Sequence, residues 1–269
     1  MSLNKDEGSI FSIYRDLLLE QAPQVIDPNV FKEFEIKLVR AKYRLFNQYP
    51  FFGLTLQKLK TVIVSPEDEK KLGIDTMAVD NNRNIYINVN FVMNVLSDAE
   101  VMGVLAHEVM HIATLTFPRQ RGRDMKVWNI ATDYIMNRDL LEQGFALPSL
   151  GCLPKQVNNQ WIVEIPDFSK VTTKAVAQGK VSAPKMLKID VTDMTAEQLY
   201  DELVKAQAKI DFDKLMEMLG EMDKHLAEGE AQEVEGMTAP NGDPVYTKNS
   251  GEGKSESQKH NENKALVQD

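Results

Sequence analysis

Two histidines four residues apart, with a glutamate between them, stand inside an apolar run: "VLAHEVMHIATLTF", residues 104–117. On a helix, positions four apart share a face one turn up. His107 and His111 can therefore aim imidazole nitrogens at a single ion, while Glu108 projects beside it. Zinc hydrolases need this set: two ligands and a carboxylate that takes a proton from a water on the metal. Glu108 then serves as general base and returns the proton to the leaving amine. The competing reading is a core helix whose imidazoles bond to backbone carbonyls. Two of the four histidines fall in the motif and its flanks are apolar, which favours the metal, since a cation partners charge that burial penalises.

A catalytic zinc takes three protein ligands and keeps one position open. Six residues after His111 stands Phe117, so the long form of the motif with a third histidine is absent. His225 and His260 lie in the polar C-terminal part and read as surface residues. In "WNIATDYIMN", Asn129, Asp133 and Asn137 share a face at spacing four, and Asp133 sits among Ile130, Ala131, Tyr134, Ile135 and Met136. A carboxylate in such company needs a partner, and a metal would serve. Asp133 is thus the preferred third ligand. Asp124, Asp139 and Glu142 stay open, as does an ion pair of Asp133 with Arg119 or Arg138. Asn129 and Asn137 are candidates for orienting the ligands, or for hydrogen bonds between packed helices. Once one ligand is a carboxylate, the residue types do not separate zinc from other divalent ions.

The elements that must position these groups are legible from caps and periodicity. Ser97 to Glu100 forms a capping box, so a helix is expected from Val101 to about Thr116, with Pro118 marking its end. A second runs from about Asp124 until Gly144 stops it. Upstream, "PNVFKEFEIKLVRAKYRLFNQYP" reads as a long helix ended by Pro50, "TVIVS" (61–65) as a strand, and "TMAVDNNRNIYINVNF" as a hairpin turning at Asp80, Asn81 and Asn82. Downstream come a short strand "QWIVEI" (160–165), an irregular linker through Pro184, a helix capped by Thr195 and Gln198, and a last helical piece over about 211–228. Trp128 and Trp161 sit in apolar patterns and read as core, and the 13 methionines are spread as adaptable packing. The fold class is α+β, with an N-terminal extension over 1–28, expected to be helical, a domain over 29–227, and a polar acidic tail over 228–269 expected to be flexible.

The single cysteine, Cys152, excludes an intrachain disulfide, argues against a cysteine-based zinc site, and suits a reducing cytoplasm. No apolar stretch approaches bilayer length, and the N-terminus does not read as a secretory signal. The net charge of −9 argues against a general affinity for nucleic-acid backbone or anionic membrane. "RQRGR", Arg119 to Arg123, is the local exception. It could hold a phosphate or an acidic substrate, or be a solvated loop paired with nearby acids.

The run "AHEVMHIATLTFPRQRGRDMKVWNIATDYIMNRDLLEQGFALP", with "IYINVNFV" before it and "TAEQLYDEL" after, resembles the predicted metallopeptidase domain of bacteria and their phages over about residues 30–210. Longer relatives carry a von Willebrand A-like domain afterwards, where this chain has only the tail. The resemblance implies a zincin-like fold, with the histidine helix behind a small sheet. By position it makes His107 and His111 ligands, Glu108 the base, and Asp133 the carboxylate of a W-N-x-A-x-D-x-x-x-N pattern. In zincin-like enzymes the strand beside the active helix receives the substrate as an added strand; "NIYINV" is the candidate here, with Tyr86 and Asn88 facing the cleft. Tyr134, Tyr200 and Arg119 to Arg123 are possible transition-state stabilisers that the sequence does not place.

The function expected is a zinc-dependent peptidase acting on a protein or peptide in the cytoplasm of a bacterium or a phage-infected host. The rival is a catalytically silent binding or assembly protein with the same fold, and a weaker third reading is a nucleic-acid-associated factor using "RQRGR".

Overall fold

The computed structural model describes residues 26–167, 185–207, 210–212, 215, 231–238 and 244–248. Two units are distinguished, one of Met1–Arg119, Phe145–Pro148 and Asp223–Asp269, the other of Gln120–Gly144 and Ser149–Met222.

In the first unit, α1 (Pro28–Gln48) starts where the Asp27 carboxylate accepts from the Asn29 and Val30 amides, with Pro28 in the first turn. Its buried positions 31, 34, 35, 38, 39, 41, 42 and 45 recur at helical spacing. Pro50 ends it as expected and opens a further helix, α2 (Pro50–Gln57), packed on α1. Gly53 permits the close approach: a Cβ there would lie 2.4 Å from the Phe46 Cα.

Strand β1 (Lys60–Val64), helix α3 (Pro66–Leu72), and strands β2 (Met77–Val79) and β3 (Asn84–Asn88) follow. The hairpin forms as expected, with Met77 opposite Ile87 and Val79 opposite Ile85. β1 pairs in parallel with the other edge of β3, Lys60 opposite Asn84 and Val64 opposite Asn88, so the sheet order is β1-β3-β2. The turn is organised by the Asp80 carboxylate, which accepts from the Asn82 and Asn84 amides, the Asn84 side chain and the Tyr86 hydroxyl at 2.7–3.1 Å. Burial pushes that carboxyl up, against the pull of these four donors.

A π-helical turn, Phe91–Val95, then leads into α4 (Asp98–Ala113). The Lys37 ammonium holds the turn by donating to the Val92 and Leu96 carbonyls. Both halves of the Ser97–Glu100 capping box form. α4 ends at Ala113, three residues sooner than expected, because Leu115 turns left-handed at φ 58°; Pro118 sits inside a short helix, α5 (Thr116–Arg119). α4 packs on α1, α2 and β2.

In the second unit, α6 (Met125–Glu142) is capped by the Asp124 carboxylate and followed by Gly144 at φ 85°. Strands β4 (Lys155–Val157), β5 (Gln160–Pro166) and β6 (Met186–Asp190) form an antiparallel meander in chain order. Helix α7 (Ala196–Lys205) begins at the Thr195–Gln198 capping box and packs on α6. Trp128, Tyr134, Trp161, Val163, Ile165, Leu199 and Leu203 share the core, so both tryptophans are packing residues as expected.

Within the segment expected to be a flexible tail, Ala231–Thr238 (β7) and Pro244–Lys248 (β8) pair as an antiparallel ribbon. Residues 1–25 of the N-terminal extension, residues 168–184 of the expected linker and most of the expected 211–228 helix lie outside the described residues. Among the described residues, no helix is long and apolar enough to cross a membrane. The architecture is α+β.

Candidate metal centre

α4 carries His107, Glu108 and His111 on its last two turns, where all three are at most 1% exposed. Helical geometry sets the histidine pair: the two Nε2 atoms face each other at 3.0 Å, with ring planes 74° apart. One turn before His107, on the same face, stands Gly103. A Cβ there would lie 2.0 Å from the Ala146 carbonyl oxygen, so only glycine lets the Phe145–Pro148 strap cross the histidine helix. Phe145 fastens the strap by packing against Tyr49 and Phe52, with ring centroids 4.3 and 5.5 Å away. The sequence reading passed over Gly103; its signal was a glycine inside an otherwise strong helix, which is costly unless something approaches closely.

On α6, Asp133 is buried, at 8% exposure. The Asn137 side chain, fully buried, donates to the Cys152 carbonyl and ties α6 to the segment before β4. Asn129 is half-buried, and its carbonyl accepts from the Thr132 hydroxyl. The other carboxylates have separate settings: Asp124 caps α6, Asp139 pairs with Arg138, and Glu142 is exposed. Arg138 also donates to the carbonyls of Val191 and Met194, and Arg119 to that of Thr114.

His107, His111 and Asp133 form a group of three buried side chains. One donor atom from each lies within 4.8 Å of the others, and such a group could hold a metal ion. The donor set fits: imidazole nitrogens and a carboxylate oxygen suit divalent metals, without choosing among them.

Tyr86 and Asn88 take a different place from the one expected. β3 is the central strand, with both hydrogen-bonding edges used, so it has no edge on which a peptide could add. Both side chains are fully buried. The Tyr86 hydroxyl donates to Asp80; the Asn88 amide donates to Glu69 and the Ile74 carbonyl, and its oxygen accepts from the Phe91 amide. Asn88 thereby ties the sheet to the π-helical turn ahead of α4, and Tyr86 braces the hairpin turn. Burial, and then the charge of Asp80, push the Tyr86 hydroxyl far above its ordinary range. Of the candidate stabilisers, Tyr134 is buried, and Tyr200 accepts from the Asp124 amide through its hydroxyl. Arg123 lies over the rings of Trp128 and Tyr200, 5.1 and 5.5 Å from their centroids.

Comparison with curated proteins and with solved structures finds no match. The family comparison does, and over nearly all of the chain: residues 33–269 match the model described as "Putative metallopeptidase domain", and the chain belongs to that family.

Proposed function

We propose that the chain is a zinc-dependent peptidase of zincin-like architecture, in which His107, His111 and Asp133 hold the ion and Glu108 is the general base. The observation that carries this reading is the buried group of two imidazoles and one carboxylate with donor atoms within 4.8 Å of one another. Nitrogens about 2.0–2.1 Å from a tetrahedral zinc lie about 3.3 Å apart, close to the 3.0 Å between the two Nε2 atoms. When bound, the ion polarises a substrate carbonyl and lowers the pKa of a coordinated water toward neutrality. The Glu108 carboxylate, next in sequence to His107, takes the proton of the attacking water and delivers it to the leaving nitrogen. Asn137 holds the α6 segment that carries Asp133 by its bond to the Cys152 carbonyl, and Asn129 is the group on the same face available to orient a ligand.

Metal content by mass spectrometry, paired with peptide-library cleavage, tests the reading. About one zinc per chain is expected in the wild type and Glu108→Gln, and little in His107→Ala or Asp133→Ala. Cleavage is expected to fall at least about a hundredfold in Glu108→Gln. Full activity of Glu108→Gln would remove the base assignment; zinc retained in Asp133→Ala would move the third ligand.

One observation favours a second reading, a silent binding or assembly protein. His107, Glu108 and His111 are at most 1% exposed, a setting that suits a closed structural metal site better than one open to a peptide. A zinc-loaded wild type that cleaves nothing in the library would support it.

A further inference from the structure

The metal centre leaves the "RQRGR" segment unused, and its geometry points to a role. We propose that the Gln120–Arg123 turn is a docking element for an acidic stretch of polypeptide, with Arg121 as its reading residue. The Arg123 amide donates to the Gln120 carbonyl at 3.0 Å, and both central residues are left-handed, Arg121 at φ 46° and Gly122 at φ 76°. That is the φ pattern of a type I′ turn, which favours Asn, Asp or Gly at its first central position. Arginine pays a steric penalty there. A strained residue held at an exposed tip motivates a search for function rather than packing.

The charge distribution agrees. Residues 119–126 hold Arg119, Arg121, Arg123 and Lys126 against Asp124 alone, in a chain of net charge −9. Arg121 is exposed, and its guanidinium meets no hydrogen-bonding, ionic or ring partner among the described residues. Arg123 is held beside it by the faces of Trp128 and Tyr200 and by a bond from its guanidinium to the Gln120 carbonyl. The Gln120 side chain donates to the Arg123 carbonyl and stiffens the turn further. A guanidinium on a rigid turn matches a carboxylate, which it can engage through two parallel hydrogen bonds. The negative charge of the whole chain disfavours a nucleic-acid backbone. It does not forbid a local carboxylate contact, because salt screens charges beyond about 8–10 Å.

Binding to the full chain is read by fluorescence anisotropy, without turnover, so the result does not depend on the peptidase reading. The probes are a short labelled peptide alternating Glu and Ser, the same peptide with Gln for Glu, and a labelled oligothymidylate. The Glu peptide is expected to bind most tightly, and more weakly as salt rises. Arg121→Ala should weaken it about two- to fivefold and leave the Gln peptide unchanged, while Arg121→Lys keeps part of the affinity. Arg121→Gly should lose the same binding while holding or raising Tm, because glycine accepts the left-handed turn. Equal binding of the Glu and Gln peptides, an unchanged Arg121→Ala, tighter binding of the oligothymidylate, or a lower Tm for Arg121→Gly would each overturn the proposal.

Discussion

Replacing a helical glycine with alanine ordinarily stabilises a protein, by about 1 kcal/mol. At Gly103 the opposite is expected. The added Cβ would stand 2.0 Å from the Ala146 oxygen, 3.0 Å from its carbonyl carbon and 3.2 Å from a Leu147 methyl carbon. Ordinary carbon–oxygen contact begins near about 3.3 Å, so α4 and the strap must separate by roughly 1.3 Å. The neighbours are backbone, and the strap has little room to move, since Phe145 is buried against Tyr49 and Phe52 and Pro148 is buried as well. Overpacking costs about 1–3 kcal/mol, occasionally more, and a backbone clash belongs at the upper end. Set against the propensity gain, Gly103→Ala should lose about 2 kcal/mol. For a chain of this size that is a fall in Tm of roughly 4–8 °C. Because Gly103 lies one turn before His107 on the same face, the metal affinity proposed for that site should fall too. Thermal unfolding followed by circular dichroism, with zinc titration alongside, decides the matter. A Gly103→Ala protein as stable as the wild type would refute the reasoning, since it would mean that the strap does not cross the helix there.

Two further perturbations test the scaffold. Burial holds the Lys42 ammonium, whose contact is the Thr61 hydroxyl at 3.2 Å, at a pKa of about 8 instead of 10.5. Between those values the unfolded chain binds more protons, so stability should rise with pH over that window and carry the full penalty, about 3 kcal/mol, below it. Lys42→Met should raise stability at neutral pH and flatten the rise; parallel urea-unfolding profiles for the two proteins from pH 7 to pH 10.5 would contradict this. Asp80→Asn turns an acceptor of four hydrogen bonds into a group whose NH₂ must face either the Asn84 amide or the Tyr86 hydroxyl. The loss should be about 2–3 kcal/mol, and a denaturation midpoint equal to the wild type's would show that the turn does not depend on that carboxylate.

What the amino-acid sequence determined by itself is what closes within one helical turn or one hairpin. Ser97 with Glu100, and Thr195 with Gln198, satisfy helix-start amides three residues away, so those starts were readable without any knowledge of packing. The same locality sets the pairing of His107 with His111, because four residues along a helix bring two imidazoles together whatever surrounds them. The hairpin around Asp80 was legible for a related reason: its turn is built from its own Asx hydrogen bonds. Strand order was not. The alternation in β3 is equally compatible with an edge or a central strand, and only the parallel pairing with β1, residues 60–64 against 84–88, makes it central, while packing over the sheet buries Tyr86 and Asn88. The short helices α2 and α3 and the strands β4 and β6 escaped notice because elements of three to eight residues carry too few periodic positions to stand out from loops. Gly103 is the clearest case. Its chemistry is visible in the sequence, but its purpose depends on a strap more than forty residues later, and such contacts are decided by the summed packing of distant segments that no local pattern encodes.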